Sequence, residues 1–231
     1  MAETIDAAFE KLAKSVAYEL VKDSSVLGLG SGSAVSTFAR VLGERVKRES
    51  LRMQVVPSSM QSWFLANMNG LRFVEDSAHC PSDIDISVDG ADQISLETRA
   101  MIKGGGGALL KEKTIISSAK ECYILADETK FVPTLIRPVP VEVTQFSVVS
   151  VEAKVKKLGA EPVMRKLEKG YPFFTESGNV ILDCRFKGGV DDPVDVEKNI
   201  RMIPGVVEVG IFNFPVKKFY KANQDGTFAA L

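Results

Sequence analysis

Hydrophobic and polar positions follow a helical period at the start of the chain and then change to short apolar runs. Near the start, apolar residues recur every three or four positions, at Ile5, Phe9, Leu12, Val16 and Leu20. This spacing predicts an amphipathic helix.

Short apolar runs that end in turn residues then alternate with helical patterns. We predict strands at 24–30, 52–59, 71–76, 83–90 and 121–127, and helices at 33–49, 60–70 and 108–120. This alternation predicts a Rossmann-like α/β fold, with a mostly parallel sheet and helices on both faces. In such sheets, ligands bind beyond the carboxyl ends of the strands.

The pattern changes near residue 134. Strands are predicted at 137–146, 160–166, 178–186 and 206–212, and helices at 147–159 and 192–205. The order strand, helix, strand, strand, helix, strand is typical of a ferredoxin-like α+β domain. We therefore expect a catalytic Rossmann-like domain from 1–133 and 208–231, with a smaller βαββαβ domain at 134–207.

Composition narrows the classes of function. Lysine and arginine number 29 against 30 acidic residues, so the net charge of −1 gives no electrostatic case for nucleic acid or an anionic membrane. No apolar run approaches the roughly 20 residues of a membrane span. Three dispersed cysteines without a CxxC pair fit a reduced, cytoplasmic protein.

Histidine chemistry has little support in this chain. His79, the single histidine, stands beside Cys80, and this pair falls short of the three or four ligands that zinc takes. We expect His79 in a surface loop. Acid–base chemistry would then use carboxylates, lysines or cysteines.

The first candidate site is the stretch GLGSGSAV, residues 28–35, between a predicted strand and a helix. Free N–H groups and the dipole at a helix start favour an anion there, and Ser31 and Ser33 add hydroxyl donors. A dinucleotide fingerprint fails because its third glycine would stand at Ser33, and the next strand lacks the acidic residue for a ribose. Phosphate binding is the leading interpretation, and a merely tight turn stays open.

The second candidate is the stretch SVDGADQI. Asp89 and Asp92 bracket Gly90 and Ala91 at the end of an apolar strand. Their carboxylates could accept hydrogen bonds from sugar hydroxyls, pass protons, or bind a divalent metal. Aspartate and glycine are also common in turns, so a purely structural role stays open.

The third candidate is the stretch MIKGGGGALLKEK. A Walker loop is excluded because no Gly-Lys-Ser/Thr follows the glycines. Glycines let backbone N–H groups approach a ligand, Lys103 can stabilise an oxyanion, and Glu112 could face the loop from the next helix. We interpret Lys111 and Lys113 as a solvated charge run.

A fourth candidate is the stretch LADETK, another strand end, where Lys130 is available for a phosphate. Together, the four motifs offer an anion cradle, carboxylates and lysines. This set suits the movement of a proton between adjacent carbons of a sugar phosphate.

The motifs VDGADQI, MIKGGGGALLKEK and ILADETK, in this order, closely resemble those of the A-type ribose-5-phosphate isomerases. The similarity spans nearly the whole chain, including the inserted βαββαβ domain. It implies interconversion of ribose 5-phosphate and ribulose 5-phosphate in the pentose phosphate pathway. It also implies a reaction without metal or cofactor, and a homodimer or homotetramer.

The resemblance implies catalytic roles for four residues. Glu112 would be the base that moves a proton between C1 and C2. Asp89 would assist the opening of the furanose ring, with Asp92 positioning hydroxyls nearby. Lys103 would help to stabilise the enediolate oxygen.

The remaining residues that the resemblance implies would bind substrate. The enediolate oxygen would also be held by the backbone amides of Gly104, Gly105 and Gly106. The phosphate and sugar would be held by residues of the other motifs, namely Ser31, Gly32, Ser33, Ala34, Gly90, Ala91 and Lys130.

Two positions depart from the family pattern. The phosphate loop of the family usually reads T-G-S-T, so Ala34 has lost a hydroxyl that Ser36 or Thr37 could replace. Gln93 stands where an acidic residue is common, which we interpret as a change at the rim of the site. Two other functions stay open: a coenzyme A transferase with a glutamate nucleophile, and a catalytically silent sugar-phosphate sensor.

Overall fold

The computed structural model describes residues 2–75 and 79–231. Within them, the α-helices are α1 (Ala2–Leu20), α2 (Ser33–Glu49), α3 (Met60–Met68), α4 (Leu109–Ser118), α5 (Val148–Lys157) and α6 (Pro193–Arg201). Two 3-10 helices span Glu128–Lys130 and Gln145–Ser147. The predicted strand 71–76 ends at Asp76, which lies outside the described residues.

The strands of the first half of the chain are β1 (Val26–Leu29), β2 (Gln54–Pro57), β3 (Arg72–Phe73), β4 (Ile84–Asp89), β5 (Gln93–Ser95), β6 (Met101–Ile102), β7 (Ala119–Asp127) and β8 (Phe131–Val132). Those of the second half are β9 (Val139–Val143), β10 (Ala160–Met164), β11 (Val180–Phe186), β12 (Val206–Val209), β13 (Ile211–Phe212), β14 (Lys218–Ala222) and β15 (Phe228–Ala230).

The contacts within the chain define two compact units. The first comprises 1–91, 111–129 and 214–231, and the second comprises 92–110 and 130–213. The second unit thus holds residues 92–110 besides the region of the βαββαβ pattern. The division by function, 1–133 with 208–231 against 134–207, stays a prediction.

The first unit is built on a seven-stranded sheet with the order β15-β14-β7-β4-β1-β2-β3. Every neighbouring pair is parallel except β14 with β15. On one face, Leu27 and Leu29 pack in a core with residues of α1 and α2 such as Leu12 and Phe38. On the other, Ile115 of α4 packs against Val56 and Ile84. The predicted parallel sheet with helices on both faces is confirmed.

The second unit contains the predicted βαββαβ arrangement. Strands β9 to β12 form an antiparallel sheet in the order β10-β11-β9-β12, which is the ferredoxin-like order. Valines of β9 pack with Val151 and Val155 of α5 and with Ile200 of α6. Asp192 caps α6 as predicted, since its Oδ1 accepts a hydrogen bond from the Asp195 N–H at 3.0 Å.

A second four-stranded sheet, in the order β13-β6-β5-β8, also belongs to this unit, and the sequence did not predict it as a sheet. The predicted strand 206–212 is divided at Gly210 between β12 and β13, so it contributes to both sheets. Gly210 donates to the Pro140 carbonyl at 2.7 Å and accepts from the Lys103 N–H at 3.0 Å. A Cβ at this position would lie 2.5 Å from the Lys103 oxygen, so only glycine fits between these two backbones.

The start of β7 and the C-terminal region also differ from the prediction. The helix expected at 108–120 ends at Ser118, because Ala119 and Lys120 already belong to β7. The C-terminal hairpin of β14 and β15 was not predicted. Within residues 2–75 and 79–231, none of the helices has the length and apolar character that crossing a membrane would require.

Candidate active site

The order of the large sheet places a topological switch point between β1 and β4. From β1, the chain continues outward to β2 and β3, whereas β4, β7 and β14 lie on the other side. In doubly wound sheets, the crevice beyond the strand ends at such a point binds the ligand. The first and second candidate motifs begin at these two strand ends.

Asp89 is the last residue of β4, and its side chain binds the loop that follows β1. Its Oδ1 accepts hydrogen bonds from the Ser31 N–H at 3.2 Å and from the Gly90 N–H at 2.7 Å. The side chain is only 3% exposed. A Cβ on Gly30 would lie 2.0 Å from Oδ1, so a glycine is required where β1 passes this carboxylate.

Glu112 lies in the first turn of α4 and meets the same loop. The Ser31 hydroxyl donates to Glu112 Oε1 at 2.9 Å. Glu112 is 5% exposed, so its carboxylate is buried beside the strand ends. Within the first unit, the structure therefore brings together Ser31, Asp89 and Glu112.

The phosphate-loop candidate forms the start of α2, as predicted. Gly32 is the N-cap residue with φ 95°, and its N–H donates to the side-chain oxygen of Gln61 at 3.2 Å. Gln61 was not predicted, because only the fold brings α3 to this loop. Ser33 is exposed at the helix start.

The departure at Ala34 has structural consequences. Ala34 is 7% exposed and belongs to the core of the first unit, so its methyl group faces inward. The Ser36 hydroxyl donates to the Gly32 carbonyl at 2.9 Å. Thr37 lines a cavity of about 500 Å³ together with Ser33.

Asp92 and the glycine run contact each other within the second unit. Asp92 Oδ2 accepts from the Gly105 N–H at 2.7 Å, and a Cβ on Gly105 would lie 2.6 Å from Asp92 Oδ1. One predicted oxyanion donor is thus engaged with one predicted catalytic carboxylate. The backbone of Asp92 is held as well, because its N–H donates a hydrogen bond to the Ile102 carbonyl at 2.9 Å.

Lys103 is 3% exposed. Its N–H bonds to Gly210, and its Nζ lies 5.5 Å from the centroid of the Phe212 ring, within cation–π range. The backbone attachment and the ring hold this lysine at the head of the glycine run.

The glycine run adopts a conformation that needs glycine at two positions. Gly104 has φ 95° and Gly107 has φ 84°. A Cβ on Gly107 would lie 2.5 Å from the Phe173 ring. Gly106 is exposed, and a Cβ there would meet no atom within 4 Å.

Arg165, which the sequence did not single out, binds the carbonyl side of the same loop. Its Nη1 donates to the Gly104 and Gly105 oxygens, each at 2.9 Å. No local sequence signal marks this arginine, because its partners are about 60 residues away in the chain.

Of the other predicted residues, Gly90 and Ala91 follow Asp89 and are half-buried. Lys130 ends the 3-10 helix Glu128–Lys130 after β7 and is half-buried. His79 is exposed, as expected for a surface loop. Among the described residues, no group of three or more histidine, cysteine or acidic side chains could hold a metal ion.

Two predictions about surroundings are wrong. Lys113 is 7% exposed rather than solvated, because α4 is buried around most of its circumference and exposes only the row of Lys111, Thr114 and Ser117. Gln93 is 5% exposed rather than at a rim. Its Oε1 accepts from the N–H groups of Ile136 at 2.7 Å and Arg137 at 2.9 Å.

The fold and these residues define an α/β protein with buried carboxylates and a glycine- and serine-rich helix start at the switch point of a parallel sheet. The family model for ribose 5-phosphate isomerase A (phosphoriboisomerase A) matches residues 54–226. Ribose-5-phosphate isomerase A of Archaeoglobus fulgidus is 41% identical over 203 residues, covering 87% of this chain and 88% of that protein.

Solved structures give the same result. Ribose 5-phosphate isomerase A of Methanocaldococcus jannaschii superposes with a TM-score of 0.89 at 36% identity, covering 96% of this chain and 97% of that one. A D-ribose-5-phosphate isomerase in complex with phospho-erythronic acid has a TM-score of 0.88 at 32% identity, with the same coverage. The chain belongs to the ribose 5-phosphate isomerase A family, and the resemblance in the motifs is confirmed.

Proposed function

We propose that this protein interconverts D-ribose 5-phosphate and D-ribulose 5-phosphate through an enediolate, with Glu112 as the base. The observation that carries the proposal is the hydrogen bond of 2.9 Å between the Ser31 hydroxyl and the buried Glu112 carboxylate, beside Asp89. This arrangement puts a carboxylate base next to a helix start that suits a phosphate. Family membership supports the same substrate.

The phosphate binds at the start of α2. The loop of Ser31, Gly32, Ser33 and Ala34 offers backbone N–H groups and the positive end of a 17-residue helix. A phosphate there replaces the Gln61 oxygen as the acceptor for the Gly32 N–H. Gly90, Ala91 and Lys130 complete the binding of the sugar phosphate, as the family resemblance implies.

Proton transfer uses Glu112 in both directions. From the open-chain aldose, Glu112 removes the proton from C2, which leaves an enediolate. It then returns the proton to C1, while the proton of the O2 hydroxyl passes to O1, which gives the ketose. A positioned base of this kind contributes roughly 10²–10⁴-fold to a rate. Ser31 holds one carboxylate oxygen and thereby orients the other for the transfer.

The remaining catalytic roles concern the ring and the oxyanion. Asp89 assists opening of the furanose ring, and Asp92 positions hydroxyl groups. Lys103 and the amides of the glycine loop stabilise the negative oxygen of the enediolate, as preorganised donors do in other enzymes. Since the Gly105 amide already binds Asp92, the amides of Gly104 and Gly106 carry this role, together with Lys103.

The test is turnover of ribose 5-phosphate in EDTA by the native protein, Glu112→Gln and a control variant, Glu97→Gln, at an exposed position. We expect metal-independent activity that falls at least 100-fold in Glu112→Gln, about the lower limit for a lost base, and is unchanged in the control. Native-like turnover in Glu112→Gln would reject this base.

The other two functions give different results. Binding of ribose 5-phosphate without turnover by the native protein would reject the isomerase in favour of a sensor. A thioester on a glutamate after incubation with an acyl-coenzyme A would favour the transferase.

The family resemblance also supports a cytoplasmic homodimer or homotetramer. Sedimentation of the purified protein tests the oligomeric state, and a monomer at micromolar concentration would reject it.

A further inference from the structure

Arg165 makes four hydrogen bonds through its guanidinium. Besides the two glycine carbonyls, it binds Asp183 in a bidentate manner, with Nε to Oδ2 at 2.9 Å and Nη2 to Oδ1 at 2.5 Å. Such fork-to-fork pairs fix the plane of the guanidinium as well as its position. Asp183 lies in the middle of β11, so a strand of the sheet anchors the arginine.

The backbone and one aromatic ring restrict Arg165 further. Its N–H donates to the Ile181 carbonyl at 2.8 Å, and its carbonyl accepts from the Phe173 N–H at 3.0 Å. The guanidinium carbon lies 5.8 Å from the centroid of the Phe173 ring. The same ring occupies the space beside Gly107.

The contacts of Arg165 determine which way the loop amides point. In a planar trans peptide, the C=O of one residue and the N–H of the next point in opposite directions. Arg165 holds the Gly104 oxygen on one side, and Asp92 accepts from the Gly105 N–H on the other, so this peptide is held at both ends. By the same geometry, the contact to the Gly105 oxygen turns the Gly106 N–H away from Arg165.

A run of glycines has more accessible backbone conformations than any other sequence, so it does not hold such an orientation by itself. A cation on the two carbonyls also polarises the peptides and strengthens their N–H groups as donors.

We propose that Arg165, anchored by Asp183, is a positioning residue that sets the glycine-loop amides for the developing oxyanion. The inference rests on the proposed isomerase function, and it adds to that function a residue that directly follows β10 and acts through the loop rather than on the substrate. The Gly107 N–H also donates to the Gly104 carbonyl at 3.0 Å, so the charged side chain reinforces a turn within the loop itself.

The test compares Arg165→Gln and Arg165→Lys with Arg185→Gln, a control at an exposed arginine of β11. We expect kcat of Arg165→Gln to fall about 10–100-fold, less than the roughly 10²–10³-fold for deletion of an oxyanion donor. KM should stay within about threefold, because phosphate binding is not altered. Lysine keeps the charge but lacks the planar fork, so Arg165→Lys should lose about tenfold in kcat.

Binding provides a readout that a merely structural role would not give. Phospho-erythronic acid carries a carboxylate besides its phosphate, whereas inorganic phosphate does not. We expect Arg165→Gln to weaken the binding of phospho-erythronic acid at least tenfold. The affinity for inorganic phosphate should change less than threefold. An equal loss for both ligands, together with a lower melting temperature, would overturn the positioning role.

The two proposals fail in different ways. No turnover by the native protein would overturn the proposed function, whereas native turnover with an unchanged kcat in Arg165→Gln would overturn this inference alone. If Arg165→Gln does not fold, Arg165→Lys carries the test, and native-like kcat in that variant would overturn it.

Discussion

The hydroxyl of Ser31 lies 2.9 Å from Oε1 of Glu112, although 81 residues separate them in the sequence. Ser31 follows β1 and Glu112 is in the first turn of α4. A loop that the sequence indicates for phosphate thus also holds the proposed base. In the proposed mechanism, binding of the phosphate and orientation of the base would therefore share one residue.

Loss of the Ser31 hydroxyl should therefore reduce catalysis as well as binding. A hydrogen bond to a charged group is worth roughly 1.5–3 kcal/mol, so Ser31→Ala should lower kcat/KM by about 10–100-fold. Ser31→Thr keeps the hydroxyl and should stay within about threefold of the native value. Steady-state kinetics measures both, and a kcat/KM of Ser31→Ala within twofold of native would contradict this role.

The glycine run offers a test of close approach by a ligand. Gly106→Ala meets no atom of the protein, and φ at this position is not in the left-handed region, so stability should change by less than about 0.5 kcal/mol. If an oxyanion approaches this backbone, the methyl group should lower kcat/KM at least about tenfold.

Gly104→Ala is the contrasting variant. Its φ of 95° and the distance of 2.8 Å from a Cβ to Leu109 Cβ predict a loss of about 1–3 kcal/mol in stability. Denaturant unfolding and kinetics on both variants separate strain from contact with substrate. Full activity in Gly106→Ala would show that no ligand needs this space.

A buried acid stabilises the second unit. Glu142 is 1% exposed, and its Oε1 accepts from the Thr175 hydroxyl at 2.8 Å and the Asn179 amide at 2.9 Å. Glu142→Ala should cost about 2–4 kcal/mol of unfolding free energy, because two donors lose their acceptor. The exposed Glu161→Ala is the control and should cost less than about 0.5 kcal/mol. A loss below 1 kcal/mol for Glu142→Ala would contradict the contribution of these bonds.

The pH dependence of stability should include Asp85. The hydrogen bond from Lys120, and next the one from the Val26 N–H, lower the pKa of Asp85 from its ordinary 3.8. A lowered folded-state pKa stabilises the protein fully above 3.8, and this contribution is lost as the pH falls toward the lowered value.

Asp85→Asn should thus be less stable than the native protein near pH 7, by less than about 1 kcal/mol since the pair is exposed. The difference should shrink below pH 4. Unfolding curves from pH 7 to pH 2 check this, with the exposed Asp83→Asn as a control. A difference that is independent of pH would contradict the electrostatic origin.

Local patterns predicted much of this fold. The helix predicted at 33–49 is α2 with the same bounds, and the strand ends carry Ser31, Asp89 and Lys130 as predicted. Strands of two or three residues, such as β5 and β6, are too short to show a period, so the second small sheet escaped prediction.

Partners that are distant in sequence limited the prediction of the site. Motif spacing indicated Asp92 and the glycine run, but not that Asp92 holds the Gly105 amide. The burial of Gln93 and Lys113, and the contacts of Arg165, depend on elements that only the tertiary fold brings together. Sequence therefore identified residue types and strand ends, whereas packing decides which donors are already engaged.

The most direct test of the enediolate mechanism is to let the protein turn over ribose 5-phosphate many times in D₂O with EDTA. NMR then measures the deuterium that has become bound to carbon. The account predicts that the native protein incorporates solvent deuterium at C2 of the aldose and C1 of the ketose. Glu112→Gln should incorporate it at least 100-fold more slowly. Conversion to ribulose 5-phosphate with protium fully retained would indicate a hydride shift and contradict the proton transfer through Glu112.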